Sequence, residues 1–393
     1  GKAQPVAAYR VVGEAPELGA STRGLEGRSA PLVGRDAELA RLVAWYDDAA
    51  AARRLVWVTL VGDAGIGKSR LTQAFVDAVG ARTPAPLVLR ARALEQAADA
   101  YSLLRDLLGK HYALDGQADG PPVRRREALA AALAGDLSAV AHLDAAAAAR
   151  DLAALVVSAD PGRDPRGLAD RAAAALAALL RALADRSPLV LVFEDLHWAD
   201  DASLDTIVDL VDALADAPVL ILANARSSLF ARRPHWGEGE AAHQRLDLGQ
   251  LTPAALEALL AALLGADDVP AQVRDFVLAR GEGNPYYVEE LVHMLVVRDI
   301  VRRDGTGWVV DDTALDGGAV PTTLAGMLQA HLDALTPAQK RLLQRAAVYG
   351  REFWASAVAA LESIDADDLD ALRRTGLVQA RGRSSFPGER EYL

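Results

Sequence analysis

Three glycines, a lysine and a hydroxyl stand at fixed offsets between Gly62 and Ser69, in the run GDAGIGKS. Gly62, Gly65 and Gly67 allow a tight backbone path whose N–H groups, including those of Asp63, Ala64 and Ile66, can turn inward toward phosphate oxygens. A helix opening near Gly67 would add its positive end to the same point. Lys68 supplies a mobile cation for the terminal phosphates, Ser69 a hydroxyl for Mg²⁺, and Arg70 follows in the first helical turn. The spacing is that of a P-loop in full, and it follows an apolar run and precedes a helical pattern, the context that gives such a motif its meaning. The plainer reading, a glycine-rich strand-to-helix turn with no ligand, does not account for lysine and serine at these offsets. ATP or ADP with Mg²⁺ is the expected ligand.

A second run, LVLVFEDLHWAD from Leu189 to Asp200, carries acids at the end of an apolar stretch. A buried strand that delivers carboxylates at its C-terminal end is what a P-loop site needs nearby. Glu194 is expected to bind Mg²⁺ through water, and Asp195 to orient or deprotonate the attacking water. Alternatively, the two acids merely end a strand and cap a helix. P-loop ATPases commonly place Asp at the metal and Glu at the water; here the order is reversed. An aspartate at the water position is one methylene shorter, which points to slow turnover. His197 and Trp198 read as packing residues.

Positioning these groups requires buried parallel strands. Nearly continuous apolar runs at Leu55–Val61, Pro86–Leu89, Leu189–Phe193 and Pro218–Ala223 have that signature. Helical patterns separate them, at Asp36–Ala51, Leu71–Val79 and Ser203–Leu214, which predicts an α/β domain with right-handed crossovers. The Ala- and Leu-rich stretch over 93–186 is too long for one crossover and is expected to be a helical insertion. Beyond Leu248 the reading turns helical, at Thr252–Leu264, Ala271–Arg280 and Pro285–Val297. A hairpin follows at Ile300–Arg303 and Gly307–Val310, turned by Asp304-Gly305. Helices at Thr322–Leu335, Pro337–Tyr349 and Asp367–Arg374, then alternation at Leu377–Arg381, give the outline of a winged helix.

Composition sets the limits. The 393 residues are too many for one ordinary core; 51% hydrophobic and 24% charged residues read as globular. A net charge of −12 argues against a general phosphate-backbone surface, and the densest basic run, Arg124 to Arg126, reads as a solvated helix start. With no cysteine, disulfides, thiolate metal sites and cysteine nucleophiles are excluded. The histidines show no ligand spacing, so no zinc or iron site is expected. No bilayer-spanning stretch or signal pattern is seen, and a cytoplasmic location without membrane contact is expected.

Several motifs together make the chain resemble a STAND-class P-loop ATPase, a regulatory branch related to the AAA+ proteins. It is similar in particular to ATPase modules fused to class III nucleotidyl cyclases and found in large LuxR-type activators. PLVGRDAEL (Pro31–Leu39) resembles the family's opening segment, which implies that Val33, Gly34 and Arg35 lie near adenine and ribose. EDLHWAD matches its acidic strand. ILANAR (Ile221–Arg226) implies that Arg226 approaches the γ-phosphate; an arginine paired with an acid such as Asp200 is the plainer alternative. GNPYYVEEL (Gly283–Leu291) matches the lid motif, which implies that Pro285 packs on adenine, while Asn284-Pro285 is also a sound helix start. VPTTLAGMLQAHLDAL (Val320–Leu335) and AAVYGREF (Ala346–Phe353) resemble the start of the family's winged helix.

The resemblance implies a P-loop NTPase with a parallel sheet flanked by helices, followed by a helical lid and a winged-helix domain. The expected divisions are a linker at 1–29 with a remnant of a preceding cyclase domain, and a nucleotide-binding domain at 30–250 containing the 93–186 insertion. A lid at 251–318 and a C-terminally truncated winged helix at 319–393 complete them. GKAQPVAAYRVVG (Gly1–Gly13) resembles the last strand of a class III cyclase, but no cyclase activity is expected of this chain. Three functions compete: a slow ATPase switch acting on a fused or partner effector such as a cyclase or TPR-like repeats, a non-hydrolysing ATP/ADP scaffold, and the ATPase core of a LuxR-type DNA-binding regulator. Direct nucleic-acid contact by this chain is not expected. A nucleotide-dependent oligomer is left open, and neither Arg232 nor Arg233 carries a recognisable arginine-finger motif.

Overall fold

The computed structural model describes residues 31–392, apart from 96–99, 113–121, 158–164, 267–268, 305–306, 317–325, 327–328, 330–331, 334, 351–352, 362–365, 375–376, 379 and 381–388. The expectations for residues 1–29, for most of Thr322–Leu335 and for the Asp304-Gly305 turn therefore lie outside the described residues.

Five parallel strands form the central sheet in the order β2-β3-β4-β1-β5: β1 (Val56–Val61), β2 (Leu87–Arg92), β3 (Leu189–Glu194), β4 (Val219–Ala225) and β5 (His243–Asp247). Alternate residues face opposite layers. Val56, Val58 and Leu60 of β1, with Val190 and Val192 of β3, pack against α1 (Asp36–Ala52) and α2 (Lys68–Gly80). Trp57, Leu189, Leu191 and Phe193 pack on the other side, against the helices of the insertion and α7 (Asp201–Ala213). Both faces being covered is why these strands read as unbroken apolar runs.

The insertion is helical as expected: α3 (Ser102–His111), α4 (Pro122–Leu137), α5 (Ala145–Val157) and α6 (Pro165–Arg186). Arg124 to Arg126 do open a helix, with Arg124 exposed. Two strands differ from expectation. β5, HQRLD, has only Leu246 buried, so an edge strand half in solvent left no apolar run to read. β2 runs three residues past Leu89 because Arg90 and Arg92 stay in register with β3, with Arg92 opposite Glu194.

After a short α8 (Ser228–Arg232), three helices, α9 (Pro253–Leu264), α10 (Ala271–Arg280) and α11 (Pro285–Val297), share a core with the hairpin β6 (Val301–Asp304)/β7 (Gly307–Val310) and α12 (Asp312–Asp316). A separate small core gathers α13 (Pro337–Tyr349), β8 (Phe353–Trp354), α14 (Ala355–Leu361), α15 (Ala366–Arg374) and β9 (Glu391–Tyr392). There β8 pairs antiparallel with β9, and Ala380 bridges to Tyr392. Among the described residues no helix is long and apolar enough to cross a membrane.

Candidate nucleotide-binding site

The turn between β1 and α2 needs backbone that only glycine adopts freely: Gly65 has φ +79° and Gly67 φ +101°. The turn delivers Lys68 as the first residue of α2, 9% exposed, with Nζ donating to Gly62 O at 2.7 Å and Asp63 O at 2.8 Å. Burial, and then the Arg226 charge, hold its pKa below the ordinary lysine value, against the opposing pull of Asp195 and Asp63. A buried ammonium whose hydrogen-bond partners are two carbonyl oxygens has no carboxylate in contact, the condition in which an anion is welcome. Ser69 is exposed beside it. One turn further, Thr72 and Asn224 of β4 exchange buried hydrogen bonds at 3.0 and 3.2 Å, fixing α2 to the sheet.

The sheet order decides where the acids stand. β4 lies between β1 and β3, so Glu194 and Asp195 sit two strands from the P-loop, and Arg226, the residue after β4, stands between them. At ~5 Å per strand that is roughly 10 Å, the span of a triphosphate and its cation and not of a direct contact. The charge of Arg226 bears on Lys68 and on His197. Among the described residues the Arg226 guanidinium has no hydrogen-bond or ion-pair partner, while its backbone carbonyl accepts from Leu229 N. The alternative pairing with Asp200 is not found: Asp200 caps α7 and accepts from Ser203 N and Oγ, Tyr101 N, and Ser102 N and Oγ at 2.7–3.1 Å. Burial alone would raise the Asp200 pKa, but those hydrogen bonds outweigh it and hold it low.

Both acids face Arg92, a residue that sequence reasoning missed. Its Nη2 forms an ion pair with Glu194, and its Nε lies 3.4 Å from Asp195 Oδ2, close enough for charge though not for an aimed hydrogen bond. The signal available in the sequence was a cation ending an apolar strand, legible only once that strand is paired with the acidic one. Asp195 itself has φ +58°, which bends the chain into the one-turn 3₁₀ helix Leu196–Trp198. Within it His197 is 5% exposed, leans on Trp198 with ring centroids 4.9 Å apart, and has no hydrogen-bond partner for either ring nitrogen. Burial, then Arg226, push its pKa down to about 4.

The opening segment and α11 close the other side. Arg35, 6% exposed, directs its two terminal guanidinium nitrogens to Glu38, Ile66 O and Gly249 O, while its buried Nε has no partner among the described residues, and it acts as a strut between α1, the P-loop and the segment after β5. Val33 packs against the α9–α11 core, and Gly34 has φ +64°. Pro285 is the first residue of α11, capped by Asn284, and lies 3.8 Å from where a Cβ on Gly67 would stand. Arg70 pairs with Glu289 of the same helix at 3.4 Å. Arg232 and Arg233 are tied to Asp201, with Arg233 also bound to Asp205, and Arg232 donates to His197 O and Ala199 O, so both brace the turn after β3.

These residues fit a nucleoside polyphosphate with Mg²⁺: the left-handed glycine turn, the buried lysine without a carboxylate and the unpaired Arg226 converge at one end of the sheet. Among the described residues no three His, Asp or Glu side chains gather as a metal site. A cation here is therefore of the kind held by phosphate and one or two protein oxygens, as Mg²⁺ commonly is.

The chain is similar to several known proteins. An uncharacterized protein of Rhizobium meliloti (strain 1021) is 29% identical over 234 residues, which is 58% of this chain; the chain spans 22% of that relative's length. Among solved structures, the Aeropyrum pernix ORC1 protein in complex with DNA is similar at TM-score 0.43 and 14% identity, over 92% of this chain and 89% of that one. Drosophila ORC bound to DNA is similar at TM-score 0.45 and 13% identity, over 99% and 93%. Residues 254–304 match a domain of unknown function (DUF8739). Residues 31–222 match the family model of the AAA ATPase domain, a match that covers the P-loop and four of the five strands of the parallel sheet, β4 in part.

Proposed function

We propose that the chain is an ATP-binding, slowly hydrolysing switch of the STAND kind, in which ATP and ADP stabilise different arrangements of the helical units around the P-loop domain. The observation that carries this is Lys68, buried at the end of a parallel sheet with only carbonyl partners, while α11 rests on the same turn. In this reading α9–α12 with the hairpin form a lid, and the small core after Leu335 is a winged helix. The backbone of Gly62–Ser69 and Lys68 bind the phosphates, and Arg226 answers to the γ-phosphate. Val33, Gly34 and Pro285 border the adenine, with Arg35 holding that wall in place. Ser69 and Glu194 would hold a Mg²⁺ ion, which neutralises charge on the phosphate oxygens when bound. Asp195 orients the attacking water and accepts its proton. The effector, fused or separate and of the cyclase or TPR-like type, reads the lid.

Turnover should be slow, below about 1 s⁻¹, because the shorter aspartate stands at the water position and Arg92 engages both acids. ATP hydrolysis measured beside Lys68→Ala tests this. A slow Mg²⁺-dependent rate that the variant lacks is expected; equal rates would remove the hydrolytic part. A second reading, a scaffold that binds without hydrolysing, is favoured by the same Arg92 clamp. Recovery of ADP from protein loaded with ATP would exclude it. DNA binding is the weaker reading, since a net charge of −12 disfavours a phosphate-backbone surface.

A further inference from the structure

The P-loop has two sides, and the lid occupies one of them. Asn284 Nδ2 donates to Ala64 O at 3.0 Å. Its Oδ1 accepts from Tyr286 N at 3.0 Å, which caps α11. That same N–H lies 3.4 Å from Gly65 O. The two bonds fix the amide, because a flipped Asn284 would set oxygen against oxygen at Ala64 and NH₂ against N–H at Tyr286. Two consecutive carbonyls of the turn therefore point at the lid.

In a trans peptide the N–H points opposite to the C=O. With Ala64 O held toward the lid, the Gly65 N–H faces away from it. The next peptide shows the pattern: its carbonyl faces Tyr286 N, and its Ile66 N–H turns back into the loop, 3.4 Å from Asp63 O. The approach is tight, since a Cβ on Gly65 would lie 2.7 Å from Tyr286 Cβ and 2.9 Å from Asn284 Oδ1. The lid thus touches the backbone of the phosphate turn, not only its rim.

We infer that Asn284 is a positioning residue that couples lid docking to phosphate binding through the Ala64–Gly65 peptide: with the lid seated, the Gly65 N–H is aimed at the phosphates. The inference rests on the nucleotide reading above and deepens it. By linkage, whatever the seated lid adds to phosphate affinity, bound phosphate returns to lid docking. Its specificity is for the polyphosphate, because the peptide lies in the turn and not against the base.

The test uses the whole chain and Asn284→Ser, which keeps an N-capping oxygen for α11 but is too short to reach Ala64 O. ADP and AMP compete against a fluorescent ADP on wild type, Asn284→Ser and Lys68→Ala. A roughly tenfold loss for ADP, with AMP little changed, is the expected result for one misdirected N–H to a charged oxygen. Hydrogen exchange should show ADP protecting the first turn of α11 in wild type and far less in Asn284→Ser. Equal losses for ADP and AMP would mark a merely structural lid defect and overturn the inference, as would no loss at all. Wild type and Lys68→Ala both failing to bind ADP would overturn the nucleotide reading itself, and the inference with it.

Discussion

Arg92 engages the two carboxylates that the proposed reaction needs, so under that proposal it would compete with the cation for Glu194 and restrain Asp195. Removing it should release both. Arg92→Ala is expected to lower the Mg²⁺ concentration giving half-maximal ATP turnover by several-fold, measured by Mg²⁺ titration of the hydrolysis rate; an unchanged requirement would show the pair to be only a strand clamp. His197 makes a different prediction. Its pKa falls from 6.5 to about 4 on folding, so between these values the unfolded chain binds more protons than the folded one. The stability it confers is present above pH 6.5 and is lost as pH falls toward 4, amounting to roughly 3 kcal/mol. Urea unfolding at about pH 7.5 and about pH 5 should therefore show a steeper acid loss in wild type than in His197→Leu. At this scale the sequence was legible where spacing alone defines chemistry, as from Gly62 to Ser69. It was silent where chemistry depends on which strands are neighbours, as with Arg92, or on burial without partners, as with His197.

The strand-to-helix turn is the element on which the site depends. At Gly65 the backbone has φ +79°, and a Cβ there would meet Asn284 and Tyr286 at the start of α11. Gly65→Ala should cost roughly 1–3 kcal/mol, divided between turn strain and a displaced α11, and should weaken ADP binding while leaving helical content unchanged by circular dichroism. The sheet beneath is less forgiving. Phe193 is fully buried in β3 just before the acids, and Phe193→Ala should destabilise the chain by ~3–5 kcal/mol in urea unfolding. Helices α9, α10, α11 and α13 were legible almost to the residue, because each opens at a cap or proline before a periodic apolar face. β5 was not, since an edge strand carrying His243, Arg245 and Asp247 has no apolar pattern to betray it.

At the scale of the molecule, three cores stand in chain order among the described residues: the sheet with its two helical layers, the α9–α11 group, and the small C-terminal cluster. Val33 and the Asn284 and Glu289 contacts join the first two beside the phosphate turn, so a ligand that alters the turn is placed to alter how they meet. The sequence showed this order through the switch from apolar runs to helical periodicity after Leu248, but contact between the cap of α11 and the turn required coordinates, because Asn284 and Ala64 are separated by 220 positions. The most direct measurement is a calorimetric titration of the whole chain with ADP and ATP in the presence of Mg²⁺. The account predicts saturable binding of one nucleotide per chain that disappears in Lys68→Ala; heat signals indistinguishable from dilution, for adenine and guanine nucleotides alike, would contradict it.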